Sequence, residues 1–255
     1  MANLYYAEGL SPDRFAVGET LTVSGEEARH AVRVSRLRVG EHILVGNGQG
    51  SLARGEVTLI EKDRFEIAVR ESSHDIEPSQ RLGLVQALAK GDRDERAVEQ
   101  ATEFGVDLIV PWEAKRSVSR WSTAGGGDKA AKGVARWQRV AREASKQSLR
   151  HRIPEVHQAV TTEALCELAQ SDESTVIALH PGADIRLSEW ATSERLSRCT
   201  QVLLVVGPEG GFGDDELAEL SSAGAVLDSL GSLVLRPSSA GAAGLAVLNA
   251  ALRRW

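Results

Sequence analysis

Apolar and polar positions follow two rhythms, and the change between them falls near residue 75. Before it, apolar residues occur in short runs, some alternating with polar ones: Thr20–Val23, His42–Val45, Glu56–Ile60 and Arg64–Val69. A period of two sends successive side chains to opposite faces, so each run predicts a short strand. Turn signals such as Gly46-Asn47-Gly48-Gln49-Gly50 separate the runs, and one helix is expected from about Glu26 to Val34. Short strands joined by tight turns predict a small barrel. The polar stretch Glu71–Gln80, which contains Pro78, marks the boundary, so 1–75 and 76–255 are expected as separate domains.

From Leu82 onward strands and helices alternate. Strands are expected at Leu82–Ala89, Leu108–Val110, Thr175–Leu179, Gln201–Val206 and Leu233–Leu235. Helices are expected at Arg93–Phe104, where Gly105 ends the pattern, at about Val134–Gln147 after a surface loop at Gly125–Gly127, and at about Ser239–Leu252. The strands read as nearly unbroken apolar runs. With helices between them, they predict an α/β domain with a mostly parallel sheet covered on both faces.

The run Val202–Val206 breaks into Gly207-Pro208-Glu209-Gly210-Gly211, and a helix start at Gly213-Asp214-Asp215-Glu216 follows. Bare backbone after a parallel strand permits close approach by a ligand. Phosphate cradles need free N–H groups and usually a lysine. This loop instead carries an acid and is followed by three more, which favours a neutral or cationic ligand such as S-adenosylmethionine. A solvated structural turn explains the same residues. Gly213 suits an N-cap, with Phe212 and Leu217 spaced as a hydrophobic staple, so the acids at 214–216 are also ordinary helix-start residues.

A second glycine turn, Leu230-Gly231, leads through Arg236-Pro237 into Ala240-Gly241-Ala242-Ala243-Gly244. Two glycines near a helix start cost up to about 1 kcal/mol each relative to alanine. Something therefore packs closely there: a ligand, another helix or another chain. A third cluster, Gln86–Arg93, ends a strand in a polar turn, and Lys115-Arg116 follows the next strand.

Charge is unevenly spread. The whole chain of 255 residues carries 30 basic and 36 acidic side chains, a net −6. Residues 90–152 hold 14 basic against 9 acidic ones, and residues 153–255 hold 6 against 14. Four arginines, Arg29, Arg33, Arg36 and Arg38, crowd ten residues of the first domain. Such islands suit a phosphate backbone, as they do a solvated helix face. No run approaches the ~18 apolar residues of a membrane span, and no signal segment opens the chain. Cys166 and Cys199 are far apart, and the six histidines lack ligand spacing, so no metal is expected. His180, at a strand end, is placed to border a pocket. A soluble cytoplasmic protein is the expectation.

Taken in order, the blocks His30–Gly40, Gln86–Arg93, Ala101–Val106, Arg116–Val118, Ala141–Ser148, Gly207–Gly211 and Leu230–Arg236 resemble the ribosomal RNA small subunit methyltransferase E family. That family belongs to the SPOUT superfamily. The resemblance covers nearly the whole chain. It implies an N-terminal PUA-like β-barrel that binds RNA and a C-terminal α/β domain with a trefoil knot. It also implies a homodimer that uses S-adenosylmethionine to methylate N3 of one uridine in 16S ribosomal RNA, free or in the 30S particle. Carried onto this chain, Leu179, His180, Gly207, Glu209, Gly210, Gly211, Leu230, Gly231, Leu233, Leu235 and Ser239 would line the cofactor site. The Ala/Gly helix would pack in the knot or the dimer interface. Arg116 and Arg236 are candidates to stabilise a uridine anion, and Glu209 to orient the cofactor or accept a proton. Arg33, Arg36, Arg38, Lys90, Arg93 and Arg150 are expected on RNA phosphates. One departure is Ser238, where many relatives have a glutamate two residues after the arginine.

Overall fold

The computed structural model describes residues 3–121 and 127–255. Of the expected surface loop, Gly125 and Gly126 lie outside the described residues, and Gly127 opens a helix. By internal contacts the chain forms two units: residues 1–77 with 145–153, and residues 78–144 with 154–255.

The first unit contains β1 (Leu4–Tyr6), β2 (Thr20–Ser24), α1 (Gly25–Arg33), β3 (His42–Gly46), β4 (Ser51–Ile60) and β5 (Arg64–His74). Its sheet runs β1-β3-β4-β5-β2, antiparallel except for the β1–β3 pair. Alternation works as predicted: Leu21, Val23, Ile43, Val45, Phe65, Ile67 and Val69 point inward onto Phe15, Ala28 and Ala31. Register shifts at Arg54/Gly55 and Val57/Leu59 bend the long β4–β5 pair. Residues 145–153 return to this unit through backbone bonds, Ile153 N–H to Gly48 (3.0 Å) and Gly50 N–H to His151 (3.0 Å). The Tyr6 hydroxyl also donates to the Arg150 carbonyl at 2.7 Å.

The second unit follows the expected βα rhythm. Its elements are β6 (Arg81–Ala87), α2 (Arg93–Glu103), β7 (Leu108–Trp112), α3 (Gly127–Gln147), β8 (Glu155–Val156), α4 (Thr162–Ala169) and β9 (Ser174–Leu179). Then come β10 (Ile185–Arg186), α5 (Leu187–Trp190), α6 (Glu194–Arg198), β11 (Gln201–Val206), α7 (Asp214–Ser222), β12 (Val226–Ser229) and α8 (Pro237–Ala251). The strands form one seven-stranded sheet, β10-β12-β9-β11-β6-β7-β8, in which every pair is parallel. Alternate residues serve opposite layers. Leu82, Leu84, Ile177, Val202 and Leu204 join Val98, Trp137 and Leu245 on one face. Val85, Val176, Ala178, Leu203 and Val205 join Leu165 and Leu220 on the other. Burial on both faces is why these strands read as unbroken apolar runs.

One expectation is corrected. Leu233–Leu235 is not a strand; it is irregular, with Leu233 and Val234 more than three-quarters exposed. The last strand is β12, whose apolar signal is interrupted by a fully buried Asp228. The expected close packing of α8 is met by another helix, α2, where Asn249 Nδ2 donates to Phe104 O at 2.7 Å, and by the sheet. A Cβ at Gly241 would lie 2.8 Å from Leu84 Cδ1, and one at Gly244 2.8 Å from Leu204 Cδ1. At these two glycines the helix lies directly on its own sheet.

Candidate functional site

In a fully parallel sheet all carboxyl ends share one edge, and the turns after β12, β9, β11, β6 and β7 therefore meet there. After β11, Phe212 folds back against Trp112, with ring centroids 5.5 Å apart. Its ring packs closely on Gly207, where a Cβ would come within 3.1 Å. Gly211 closes the turn at φ +66 by donating its N–H to Pro208 O at 2.9 Å.

Glu216 secures this turn from behind. Its carboxylate is buried and accepts the Lys115 N–H (2.9 Å), the Thr162 hydroxyl (3.0 Å) and the Gly213 N–H (3.3 Å). One side chain thus ties the end of β7, the start of α4 and the glycine turn together. Arg116, next to the anchored Lys115, donates to Gly210 O at 3.1 Å.

Glu209 faces the turn after β6. It accepts Arg93 Nη1 at 2.6 Å and the Lys90 N–H at 3.2 Å. Burial pushes its carboxyl upward, but hydrogen bonds from its own backbone, Arg93 and Lys90 outweigh that and hold it below the usual range. A carboxylate kept ionised in this way is a weak base, and the geometry suits it to joining two loops.

On the other side of the glycine turn, Leu179, His180, Pro181, Leu230, Leu233, Val234, Leu235 and Ala240 line a shallow, open cleft of about 60 Å³. His180 is held by its N–H to Asp228 O (2.9 Å) and by the Gly182 N–H donating to Nδ1 (3.2 Å). Its ring stands edge-on to Phe212 at 6.4 Å, which connects the cleft to the glycine turn. Gly231, at φ +120, turns the chain out of β12 into the leucine-rich wall. A wall of aliphatic side chains with backbone polar groups between them suits a flat heteroaromatic ring.

Of the predicted cofactor residues, Leu179, His180, Leu230, Leu233 and Leu235 meet in this cleft. Gly207–Gly211 border it through Phe212, while Ser239 is half-buried in the first turn of α8. Arg116 sits on the glycine turn, whereas Arg236 is exposed as the N-cap of α8 and is not among the cleft-lining residues. Lys90 and Arg93 flank Glu209. In the first unit, Arg33, Arg36 and Arg38 are exposed around a buried Leu37, with Arg36 at φ 54. Arg150 Nε there donates to Arg152 O at 3.0 Å.

The sequence did not single out Ala240 as a wall or Glu216 as the anchor. Glu216 had a visible signal, since it stands three residues after the N-cap Gly213, where a side chain reaches back to the cap N–H.

Residues 77–249 match the model of an RNA methyltransferase domain, and residues 23–70 that of an RNA methyltransferase PUA domain. A ribosomal RNA small subunit methyltransferase E from Mycobacterium bovis is 38% identical over 260 residues, covering 100% of this chain and 94% of the relative. The chain belongs to the ribosomal RNA small subunit methyltransferase E family. The Bacillus subtilis member of the methyltransferase E family is 29% identical over 92% of this chain and 91% of its own length. The crystal structure of the methyltransferase E from Neisseria gonorrhoeae, bound to S-adenosyl methionine, superposes with a TM-score of 0.82 at 26% identity, covering 98% of each chain.

Proposed function

We propose that the protein transfers a methyl group from S-adenosylmethionine to N3 of one uridine in 16S ribosomal RNA. Membership in the methyltransferase E family supports an enzyme acting on ribosomal RNA. The observation that carries the cofactor reading is the meeting of an aliphatic cleft with an acid-bearing glycine turn on one sheet edge. The leucines of the cleft suit adenine, and among the described residues no lysine or arginine lines it to compete with a sulfonium or ammonium group.

When bound, S-adenosylmethionine supplies an electrophilic methyl group, so the protein's task is to position the acceptor and assist loss of its N3 proton. Arg116, fixed over Gly210, is placed to stabilise a uridine anion. Arg236, at the start of α8, is assigned the same role from the outer rim. Glu209 holds the glycine turn to the turn at Lys90–Arg93. N3 lies on the pairing edge of the base, so the uridine must be unpaired or turned out of its helix.

In this reading residues 1–75 form the PUA-like RNA-binding domain, where Arg33, Arg36 and Arg38 contact phosphates, joined by Arg150 from the segment 145–153 that returns to the first unit. Residues 76–255 form the catalytic domain, with its C-terminal end threaded as a trefoil knot. The working form is a cytoplasmic homodimer acting on 16S RNA or the 30S particle. Among the described residues no helix is long and apolar enough to cross a membrane. Mass mapping of 16S nucleosides from cells lacking the protein tests the substrate. One 3-methyluridine should vanish and return on complementation; its persistence would reject the uridine N3 assignment.

A further inference from the structure

A second, larger cleft lies at the same sheet edge. It offers about 260 Å³ between the turn Ala89–Gly91, Asp94 and Glu95 in the first turn of α2, Val118–Trp121 after β7, and Gly133, Arg136 and Trp137 on α3. The leucine-rich cleft follows β9 and β12, whereas this one follows β6 and β7, with β11 and its glycine turn between them. Strands spaced about 4.8 Å apart put the middles of the two clefts three spacings, about 14 Å, from each other, with the glycine turn between them. Both border the same apolar layer, which includes Leu88, Trp121 and Trp137 as well as Leu179, Leu230 and Ala240.

The lining combines features that suit a nucleotide. Trp121 and Trp137 meet edge to face at 5.4 Å, and the Trp121 ring lies on bare α3 backbone, where a Cβ at Gly133 would come within 2.5 Å. Val118 is 73% exposed at the cleft, an apolar side chain left to solvent on an otherwise polar rim. Arg136 is committed to Glu95 at 2.6 Å and Arg93 to Glu209, whereas the Lys90 ammonium has no ion pair among the described residues. Asp94 is almost fully buried; it accepts the Ala89 N–H at 3.2 Å and the Glu95 N–H at 2.9 Å, leaving lone pairs on both oxygens. Burial pushes its carboxyl above the usual range, against those two hydrogen bonds.

Resting on the methyl-transfer reading, we infer that this cleft receives the turned-out target nucleotide. Val118 and the exposed edge of Trp121, backed by the buried Trp137, contact the base, Lys90 takes a flanking phosphate, and Asp94 accepts a hydrogen bond from the base's N–H edge. The acceptor base thus enters on one side of the glycine turn and the methyl donor on the other. Glu209 is the tie between them, because it holds the Lys90 N–H on the cleft's rim.

The test uses the full-length protein with 30S particles and two variants, Val118→Glu and Lys90→Glu. Both sites are exposed, so folding should be preserved, as circular dichroism will show. S-adenosylmethionine affinity, measured by calorimetry, should match the wild type, while kcat/KM for methyl transfer should fall by about tenfold or more. Asp94→Asn should retain cofactor affinity and lower kcat by about tenfold. Transfer within about twofold of wild type in all three variants would overturn the inference. A wild-type protein that neither binds the cofactor nor transfers methyl would instead reject the function on which the inference rests. Photo-cross-linking with 4-thiouridine-substituted 16S RNA gives an independent readout. Adducts should map to peptides spanning Lys90–Asp94 or Val118–Trp121, and adducts confined to other segments of residues 78–255 would count against the cleft.

Discussion

Glu216 offers the sharpest test of how the site is built, because one carboxylate holds three elements in place. It is fully buried, and two of its bonds, from Lys115 N–H and Thr162 Oγ1, fall on Oε1, while Gly213 N–H falls on Oε2. Glu216→Gln can keep the first pair on its amide oxygen. It then places an NH₂ group against the Gly213 N–H, setting donor against donor. One lost bond to a charged acceptor is worth about 1.5–3 kcal/mol. Glu216→Ala orphans all three donors and leaves a void, for an expected loss of about 3–5 kcal/mol. Urea unfolding followed by circular dichroism measures both, with unchanged slopes expected. Methyl transfer should fall in the same order, because freeing Lys115 loosens Arg116 from Gly210. If alanine cost no more than glutamine, or either cost under about 0.5 kcal/mol, the anchoring role would be wrong.

Other expectations follow from the same physical chemistry. Burial raises the Asp228 carboxyl to about 6, with Arg195 pulling it down and Glu189 pushing it up, and neither oxygen has a hydrogen-bond partner. An acid whose folded value exceeds its unfolded value destabilises the fold once ionised. The penalty is absent below the unfolded value, grows through pH 4–6, and reaches about 3 kcal/mol above that. Asp228→Asn should therefore be more stable than wild type at pH 8, with the gap closing towards pH 4; a gap independent of pH would contradict this. Replacing Arg33, Arg36 and Arg38 together by alanine should weaken RNA binding and reduce the slope of log affinity against log salt by about 2–3. An unchanged slope would remove these residues from the RNA surface. Gly231→Val, at φ +120 where a β-branched residue is strained, should weaken S-adenosylmethionine binding more than it destabilises the fold.

The sequence exposed most of the C-terminal sheet because its strands are buried on both faces, which leaves unbroken runs such as Val202–Val206. It misplaced the last strand for a related reason. A buried aspartate interrupts β12, while three apolar residues that wall a cleft, Leu233–Leu235, imitate a strand. The return of residues 145–153 to the first unit had no local signature, since it rests on backbone bonds to distant turns at Gly48 and Gly50. Glycine turns were legible because their spacing after a strand is local. Their anchors were less so: Glu216 looked like a helix-start acid, and its bonds to Lys115 and Thr162 exist only once β7, α4 and α7 are packed. Arg93 was read as a free phosphate contact but lies in an ion pair with Glu209, a partner 116 residues away.

The most direct test is a crystal structure of the protein soaked with S-adenosylmethionine. The donor should occupy the cleft walled by Leu179–Pro181 and Leu230–Leu235, with its methyl group beside Gly207–Gly211 and open towards Lys90. Density for the donor elsewhere, or a saturated crystal with that cleft closed, would contradict the account.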